Sequence, residues 1–444
     1  MSSTDTIAAV ATAPGRGGVA VVRVSGPDAW AIAAKVTGRT VGKEQIGRFF
    51  VSTFQNADSG LVLVFKAPHS YTGEDVVEFQ GHGGSVAPHR VLEACFAAGA
   101  RLARRGEFTE RAFLNGKLDL SAAEAVIDLV DARTDRAADE AQARLRGMLS
   151  DRYEALYTET LDLSSRMEHL LDFSEDELPD GMMEKVAAEV MDLRRRIDRL
   201  IATGREGRLL REGALVVLAG APNAGKSSLM NALLGEGRAI VSDEAGTTRD
   251  TIEESLDIDG WPIRLVDTAG LRQTSNAVET EGVARAEALI RKADLVVALD
   301  CEIPGALRIH AKCDLDVGER HQSQGNVLRI SSRTGEGLET LRRAIAERVA
   351  ALAAKDAEEI ADVTARQLSL LEKARTALSG AFSSSPPFTD THRIGEWTGA
   401  MAGRDPVLSA NALRAAAEAI GEILGKTYSS DLLDALFSRF CVGK

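Results

Sequence analysis

The feature that most constrains the fold is a glycine-rich segment in the middle of the chain, residues 220–227, with the sequence GAPNAGKS. A glycine followed five residues later by Gly-Lys-Ser is the spacing of a phosphate-binding P-loop. An apolar run over 214–219 precedes the segment, and a helical pattern begins at Ser228. The motif therefore stands between a strand and a helix, which is the context that a P-loop requires. We predict an α/β domain that binds a nucleoside phosphate here.

The residue types of this loop suit phosphate chemistry. Backbone N–H groups of such a loop point at the α- and β-phosphates, and the Lys226 ammonium reaches the β- and γ-oxygens. The Ser227 hydroxyl can bind Mg²⁺. The candidate nucleotide contacts in this segment are Asn223, Ala224, Gly225, Lys226, Ser227 and Ser228.

Two switch-like segments follow and indicate a GTPase. The sequence DTAG at 267–270 comes after an apolar strand pattern, so Asp267 can hold the Mg²⁺ shell and the Gly270 amide can sense a γ-phosphate. The sequence GTTRD at 246–250 lies at switch spacing, with Thr248 as a second Mg²⁺ hydroxyl. The candidate residues of these segments are Ser242, Asp243, Glu244, Ala245, Gly246, Thr247, Thr248, Asp267, Thr268, Ala269 and Gly270.

A third pair of segments resembles the base-recognition motifs of GTPases: AKCD at 311–314 and SSR at 331–333. The Asp314 carboxylate can accept hydrogen bonds from guanine N1–H and N2–H₂, which adenine cannot supply. Ala311 departs from the usual Asn, so we predict a guanine preference with weakened affinity. The candidate base-site residues are Lys312, Asp314, Ser331, Ser332 and Arg333.

Two further departures concern the elements around the site. Only 44 positions separate Asp267 from Ala311, and the strand predicted at 295–299 is followed by a short segment over 302–306. A helix that usually joins these strands is therefore predicted to be absent. Leu271 stands where many small GTPases carry Gln to orient water. Glu279 is a candidate substitute, although an acid in such an acidic stretch is more often a solvated surface residue.

The rest of the chain predicts a multidomain α/β plus all-α protein. Residues 6–118 are mixed α/β, with strands expected at 61–65 and 76–79 and a helix at 86–98. Ala-, Leu-, Glu- and Arg-rich helical patterns follow, with a capping-box spacing at 121–124 and a loop at 173–181. We predict three domains: an N-terminal α/β domain, one helical bundle built from two stretches, and an inserted nucleotide-binding domain with a parallel-type sheet. Their limits are 1–118, 119–210 with 351–444, and 211–350.

Composition excludes several classes of protein. The chain has 53 Lys and Arg against 66 Asp and Glu, a net charge of −13, which argues against nonspecific binding to DNA or an anionic membrane. A local basic patch could still bind RNA. None of the four cysteines forms a CxxC pair, so zinc, iron–sulfur and thioredoxin-like sites lack their spacing. With no signal-peptide pattern and no long apolar run, we expect a cytoplasmic protein without a membrane segment.

The sequence closely resembles the MnmE (TrmE) family of tRNA-modification GTPases over nearly its whole length. Besides the GTPase motifs, the segments that carry the resemblance are PGRGG at 14–18, SYTGED at 70–75, GHGG at 81–84, GEFT at 106–109, RAFLNGKLDL at 111–120 and CVGK at 441–444. The resemblance implies an N-terminal domain that dimerises and binds 5-formyl- or 5,10-methylene-tetrahydrofolate. It also implies a homodimer that works with a FAD-dependent partner, MnmG (GidA), to modify C5 of the wobble uridine, position 34, of certain tRNAs.

The resemblance also implies roles for particular residues. It places a folate site at Arg23, Glu78, Lys117 and Lys444. It places a K⁺ ion, where an arginine finger would otherwise put positive charge, at Asn223, Ser242, Glu244 and Thr247. It identifies Glu279 as the catalytic glutamate and is consistent with Mg²⁺ at Ser227 and Thr248.

Some alternatives stay open at the level of sequence. An RNA-binding ribosome-assembly GTPase switch would carry a basic appendage with a Gly-x-x-Gly loop, and residues 365–444 contain no such loop. His82 is either a base or, more often in such a setting, a loop-packing residue. Cys441 is either a reactive thiol or a buried residue of a terminal helix.

Overall fold

The structure, a computed structural model, describes residues 5–171, 182–236, 253–268, 279–316, 327–353, 363–382 and 406–444 of the chain. They fall into two compact units. The first takes in the chain up to Ile127 together with residues 145–155 and 421–444, and the second takes in residues 128–144 and 156–420. The three-domain limits drawn above remain a prediction.

The first unit is built on a six-stranded sheet with the strand order β3-β4-β5-β2-β1-β6. Neighbouring strands are antiparallel except β1 and β6. The strands are β1 (Ile7–Val10), β2 (Val19–Ser25), β3 (Phe49–Phe54), β4 (Asp58–Phe65), β5 (Val76–His82) and β6 (Arg101–Leu102). The strands predicted at 61–65 and 76–79 lie within β4 and β5.

Two helices, α1 (Ala29–Thr37) and α2 (Ala87–Ala98), pack on one face of this sheet. Side chains alternate along a strand, so Val22 and Val24 of β2 are buried beneath these helices. The residue between them, Arg23, belongs to the opposite face. The helix predicted at 86–98 is confirmed in α2.

A second apolar cluster of the first unit joins elements from both ends of the chain. Helix α3 (Glu107–Leu114) and the start of α4 (Leu120–Asp131) contribute Phe113 and Leu120, and the last helix contributes Phe437. The capping-box reading of 121–124 is wrong, because α4 already begins at Leu120. The Asp119 carboxylate accepts the Ala122 N–H at 2.8 Å and caps the helix instead.

The remaining helices belong partly to the helical stretches and partly to the inserted α/β segment, where α8, α9 and α10 alternate with strands. They are α5 (Asp135–Leu145), α6 (Met148–Leu171), α7 (Met182–Glu212), α8 (Lys226–Glu236), α9 (Glu279–Lys292), α10 (Leu338–Ala353), α11 (Ala365–Phe382), α12 (Pro406–Leu424) and α13 (Ser430–Phe437). The long helices bury one stripe each: in α7, Val186, Val190, Leu193 and Ile197 recur every three or four residues and are at most 2% exposed. None of the helices in the described residues is both long enough and apolar enough to cross a membrane.

Helices α7 and α11 pack against each other in the second unit, although a whole sheet separates them in sequence. Gly204 lies so close to α11 that an added Cβ would be 3.2 Å from the Leu368 side chain. Arg211 also donates to the Val363 carbonyl at 3.0 Å. The α/β segment is thus inserted between helices that meet, and the predicted multidomain α/β plus helical fold class is confirmed.

The inserted sheet has the order β12-β11-β10-β7-β9-β8 and is parallel except for the β8–β9 pair. Its strands are β7 (Ala214–Gly220), β8 (Glu253–Ile258), β9 (Trp261–Asp267), β10 (Leu295–Leu299), β11 (Leu307–Ala311) and β12 (Leu328–Ile330). Parallel neighbours usually need a crossover of a dozen residues or more. Residues 300–306 join β10 directly to β11 without a helix, so the predicted loss of that helix is confirmed.

Candidate functional site

The predicted P-loop lies between the buried strand β7 and helix α8. Two residues with left-handed backbone, Asn223 at φ +62° and Gly225 at φ +100°, turn the chain between them. Such turns direct successive N–H groups into one concavity that suits an anion. The first glycine is required by packing, because a Cβ on Gly220 would lie 2.7 Å from the Leu299 carbonyl oxygen.

Lys226 lies over this loop. Its ammonium donates to the carbonyl oxygens of Gly220 at 2.9 Å and of Ala221 at 2.8 Å, and the residue is only 4% exposed. A positive charge is therefore held at the concavity by the loop itself. This is where the sequence predicted the lysine to meet a β- or γ-phosphate.

The two predicted Mg²⁺-linked groups of the described segments are in contact. The Ser227 hydroxyl, at the start of α8, donates to the Asp267 carboxylate at 2.5 Å. Asp267 is the last residue of β9, which pairs with β7, and it is 2% exposed. The next residue, Thr268, donates its hydroxyl hydrogen to the Leu218 carbonyl at 2.9 Å and fixes the chain as it leaves the strand.

The predicted base-recognition segment contacts the P-loop directly. Lys312 adopts a left-handed backbone, φ +57°, and its ammonium donates to the Asn223 carbonyl at 2.6 Å. The sequence prediction that the two motifs form one site therefore agrees with the geometry of the described residues.

The Asp314 carboxylate is held on both oxygens. The Ser331 hydroxyl donates to one at 2.7 Å and the Arg333 guanidinium to the other at 3.0 Å. The Ser331 hydrogen bond, with the positive charge of Arg333, lowers the pKa of Asp314 below its usual value. Ser332, the middle residue of this segment, is half-buried. An ionised carboxylate oriented in this way suits the paired N–H donors of guanine.

Several predicted residues cannot be placed. The residues that lie outside the described part of the chain are Ser242, Asp243, Glu244, Ala245, Gly246, Thr247, Thr248, Ala269 and Gly270. Glu279 is the first residue of α9. Its backbone therefore begins a helix, and its role stays a prediction.

A second cluster lies on the face of the first sheet opposite α1 and α2. Arg23 on β2 and Glu78 on β5 are directly opposite in the antiparallel register, and the guanidinium donates to the carboxylate at 2.8 Å. The guanidinium also lies over two aromatic rings, 5.2 Å from the centre of Tyr71 and 5.6 Å from that of Phe108. Burial raises the pKa of Tyr71, whose hydroxyl is 2.8 Å from that of Thr109. Sequence analysis did not single out these two rings.

The other two predicted folate residues approach the same unit by different routes. Lys117 lies against the loop that carries Tyr71, since a Cβ on Gly73 would be 3.1 Å from the Lys117 side chain. Lys444 follows Gly443, where a Cβ would be 2.2 Å from the Val10 carbonyl oxygen. Val10 ends β1, whose Ala9 pairs with Arg23. The last residues of the chain therefore lie one strand away from the Arg23–Glu78 pair.

Two residues whose roles the sequence left open, His82 and Cys441, are not packed in the way that the structural alternatives predicted. His82 has a side chain that is 74% exposed, so it does not pack inside a loop, and its ring Nδ1 lies 2.7 Å from the Asp58 carboxylate. Cys441 is exposed and lies after the end of α13, so it is not a helix-packing residue.

Another polar group beside the base-recognition segment was missed from sequence. Asp300, at the end of β10, accepts a hydrogen bond from the Ala311 N–H at 3.3 Å and contacts the His310 ring at 2.7 Å. An acidic residue directly after a buried strand could have been noticed. Its partners could not, because they come from a neighbouring strand.

Comparison with known proteins gives consistent matches. Residues 6–117 match the family model described as the N-terminus of the GTP-binding protein TrmE, and residues 120–441 match the model of the MnmE helical domain. The chain is similar to the tRNA modification GTPase MnmE of Dichelobacter nodosus, with 42% identity over 472 aligned residues and 100% of both chains covered. It is also similar to that of Symbiobacterium thermophilum, with 42% identity and 99% of both chains covered.

A solved structure also matches part of the chain. The G domain of the FeoB iron transporter of T. maritima is 31% identical over 30% of this chain and 98% of that chain. Its TM-score is 0.22.

Proposed function

Since the chain belongs to the MnmE family of tRNA modification GTPases, we propose that it uses guanine nucleotide in the second unit and a one-carbon folate in the first. The modification proposed is at C5 of the wobble uridine of certain tRNAs. A flavin-dependent partner of the MnmG type and a second copy of this chain are proposed to take part. One observation carries the proposal of guanine nucleotide binding. The ionised Asp314 carboxylate is held by Ser331 and Arg333, close to Lys312, whose ammonium contacts the P-loop.

Magnesium is proposed to bind at Ser227 and Thr248, with Asp267 holding its shell. The 2.5 Å contact between the Ser227 hydroxyl and the Asp267 carboxylate supports this, because hard oxygen donors are the ligands that Mg²⁺ prefers. When bound, the ion neutralises charge on the β- and γ-phosphate oxygens. The residues of the chain hold the nucleotide: Lys226 supplies a second positive charge, and the loop amides receive the phosphates.

Potassium is proposed to bind at Asn223, Ser242, Glu244 and Thr247. The left-handed backbone of Asn223 supports the first of these, because it fixes this residue at the rim of the P-loop. We expect GTP hydrolysis to be activated by K⁺ much more than by Na⁺, which is smaller and poorly held by a shell sized for K⁺. Steady-state GTP turnover in matched KCl and NaCl tests this. Asn223→Ala should flatten the difference, and equal wild-type rates in both salts would contradict the proposal.

The folate site is proposed at Arg23, Glu78, Lys117 and Lys444. A pterin ring presents an amide N–H beside an amino group, and a carboxylate such as that of Glu78 can accept from both. Glu78 is 15% exposed and already paired with Arg23, so its carboxyl group is positioned without the ligand. The rings of Tyr71 and Phe108 add an aromatic surface next to it. The exposed ammonium of Lys117 suits the glutamate tail of a folate.

Removal of Lys444 is expected to lower wobble-uridine modification at least several-fold and to leave GTP turnover within twofold of wild type. The reason is that Gly443 holds this end of the chain against β1, in the first unit, and not in the nucleotide site. Modified nucleosides would be measured by mass spectrometry in cells that carry only the variant, and turnover with the purified protein. Val442→Ala is the matched control, because that side chain is 44% exposed and its bridge to Arg105 uses only backbone. Normal modification without Lys444 would remove that residue from the folate site.

The whole proposal is tested by mass spectrometry of wobble uridines in cells that lack this protein. Loss of the C5 modification is expected, with restoration by the wild-type chain. The ribosome-assembly alternative predicts unchanged uridines. It is not favoured, because the full-length relatives that match are tRNA modification GTPases.

A further inference from the structure

The short connection between β10 and β11 brings Asp300 against the start of the base-recognition segment. Asp300 adopts a left-handed backbone, φ +51°, which is uncommon for a residue with a side chain and persists where surrounding contacts fix it. Its N–H donates to the Ile309 carbonyl at 3.0 Å. Its carboxylate accepts the Ala311 N–H at 3.3 Å and lies 2.7 Å from His310 Nδ1.

The other side of the His310 ring contacts a second carboxylate. Nε2 lies 3.2 Å from an Asp316 oxygen, and Arg329 on β12 donates to that same oxygen at 2.6 Å. We call Asp300, His310 and Asp316 the clasp. It spans the base-recognition segment, because Asp300 holds Ala311 at its beginning and Asp316 stands at its end.

Ala311 lacks the side-chain amide that GTPases usually carry at this position. A segment without that amide must be held in another way if Lys312 is to reach the P-loop and Asp314 is to face a base. We propose that the clasp positions the base-recognition segment for guanine nucleotide. The inference rests on the proposed function, since it assumes that guanine binds at Asp314.

The ring of His310 links the two carboxylates. Each ring nitrogen faces one of them, so the ring joins the residue after β10 to the residues that follow the base-recognition segment. The other charged groups beside the ring are Arg329 on β12, which is paired with Asp316 at 2.6 Å, and Arg308 on β11, which is paired with Glu302 at 2.9 Å.

The experiment uses the full-length protein with Mg²⁺ and fluorescent GDP. We expect His310→Gln to weaken GDP binding roughly tenfold, because one amide group cannot bridge two carboxylates that lie on opposite sides of the ring. His310→Arg offers N–H donors to both carboxylates and should restore wild-type affinity. His89→Gln, an exposed histidine on α2, is the matched control and should behave as wild type.

The outcomes separate the clasp from the base site. If Asp314→Asn loses GDP while His310→Gln keeps wild-type affinity, the clasp is overturned and the base site stands. If Asp314→Asn binds GDP as tightly as wild type, the proposed base site itself fails. Tight binding by His310→Arg excludes simple misfolding as the cause of the His310→Gln defect and supports the clasp.

Discussion

Replacing Glu279 by alanine is expected to slow GTP hydrolysis by about 10²–10⁴-fold while GTP still binds. Leu271 stands where Gln often orients the attacking water, and an apolar side chain cannot do that. The residues proposed to hold the phosphates, Lys226 and Ser227, lie on a different helix from Glu279 and are unchanged. The expected defect is therefore in the rate and not in the affinity.

Single-turnover hydrolysis and nucleotide affinity, measured on the same preparation, check this expectation. Glu281→Ala is the matched control, since it removes an equal charge two residues further along α9. If Glu279→Ala hydrolyses GTP at the normal rate, Glu279 is a solvated surface acid and another group orients the attacking water. If both variants are equally slow, the effect belongs to the charge of the segment and not to one carboxylate.

Replacing Asp314 by asparagine is expected to weaken GDP binding on the order of 10²-fold or more and to admit xanthine nucleotide. The carboxylate accepts on both oxygens, whereas the amide presents one acceptor and one donor. The donor would face the guanine amino group and repel it, but it would meet the C2 carbonyl of xanthine favourably. Competition of GDP and xanthosine diphosphate against a fluorescent nucleotide gives both affinities. A variant that keeps the wild-type order of preference would show that the base is recognised elsewhere.

The sequence was most informative where a function depends on neighbours along the chain. The P-loop spacing predicted the turn at Asn223 and Gly225, and the spacing of the later motifs predicted the missing helix between β10 and β11. The capping-box error at Ser121 has the same local origin, because Asp119 lies only two residues earlier and caps the helix first. Spacing alone did not distinguish two acceptable caps.

The parts that sequence did not predict depend on register between distant strands. Tyr71 and Phe108 lie beside Arg23 only because β2 and β5 pair with Arg23 opposite Glu78. His310 lies between two carboxylates only because β10 and β11 are joined without a helix. A slip of one residue in either pairing would turn Arg23 or His310 to the other face of the sheet. Which side chains become neighbours depends on how two strands pair, and the sequence of one strand alone does not determine that pairing.

The meeting of α7 and α11 has a consequence for the thermodynamics of folding. With Arg211 bonded to the Val363 carbonyl, the inserted segment leaves and re-enters the helices at one point. An unfolded loop of roughly 150 residues closed at that point would cost about 4 kcal/mol in chain entropy, whereas a folded insert with adjacent ends incurs little of it. The insert therefore acts as a clamp on the helix pair. Substitutions that disrupt the core of the insert should loosen the packing of α7 against α11, even though no residue of either helix has changed.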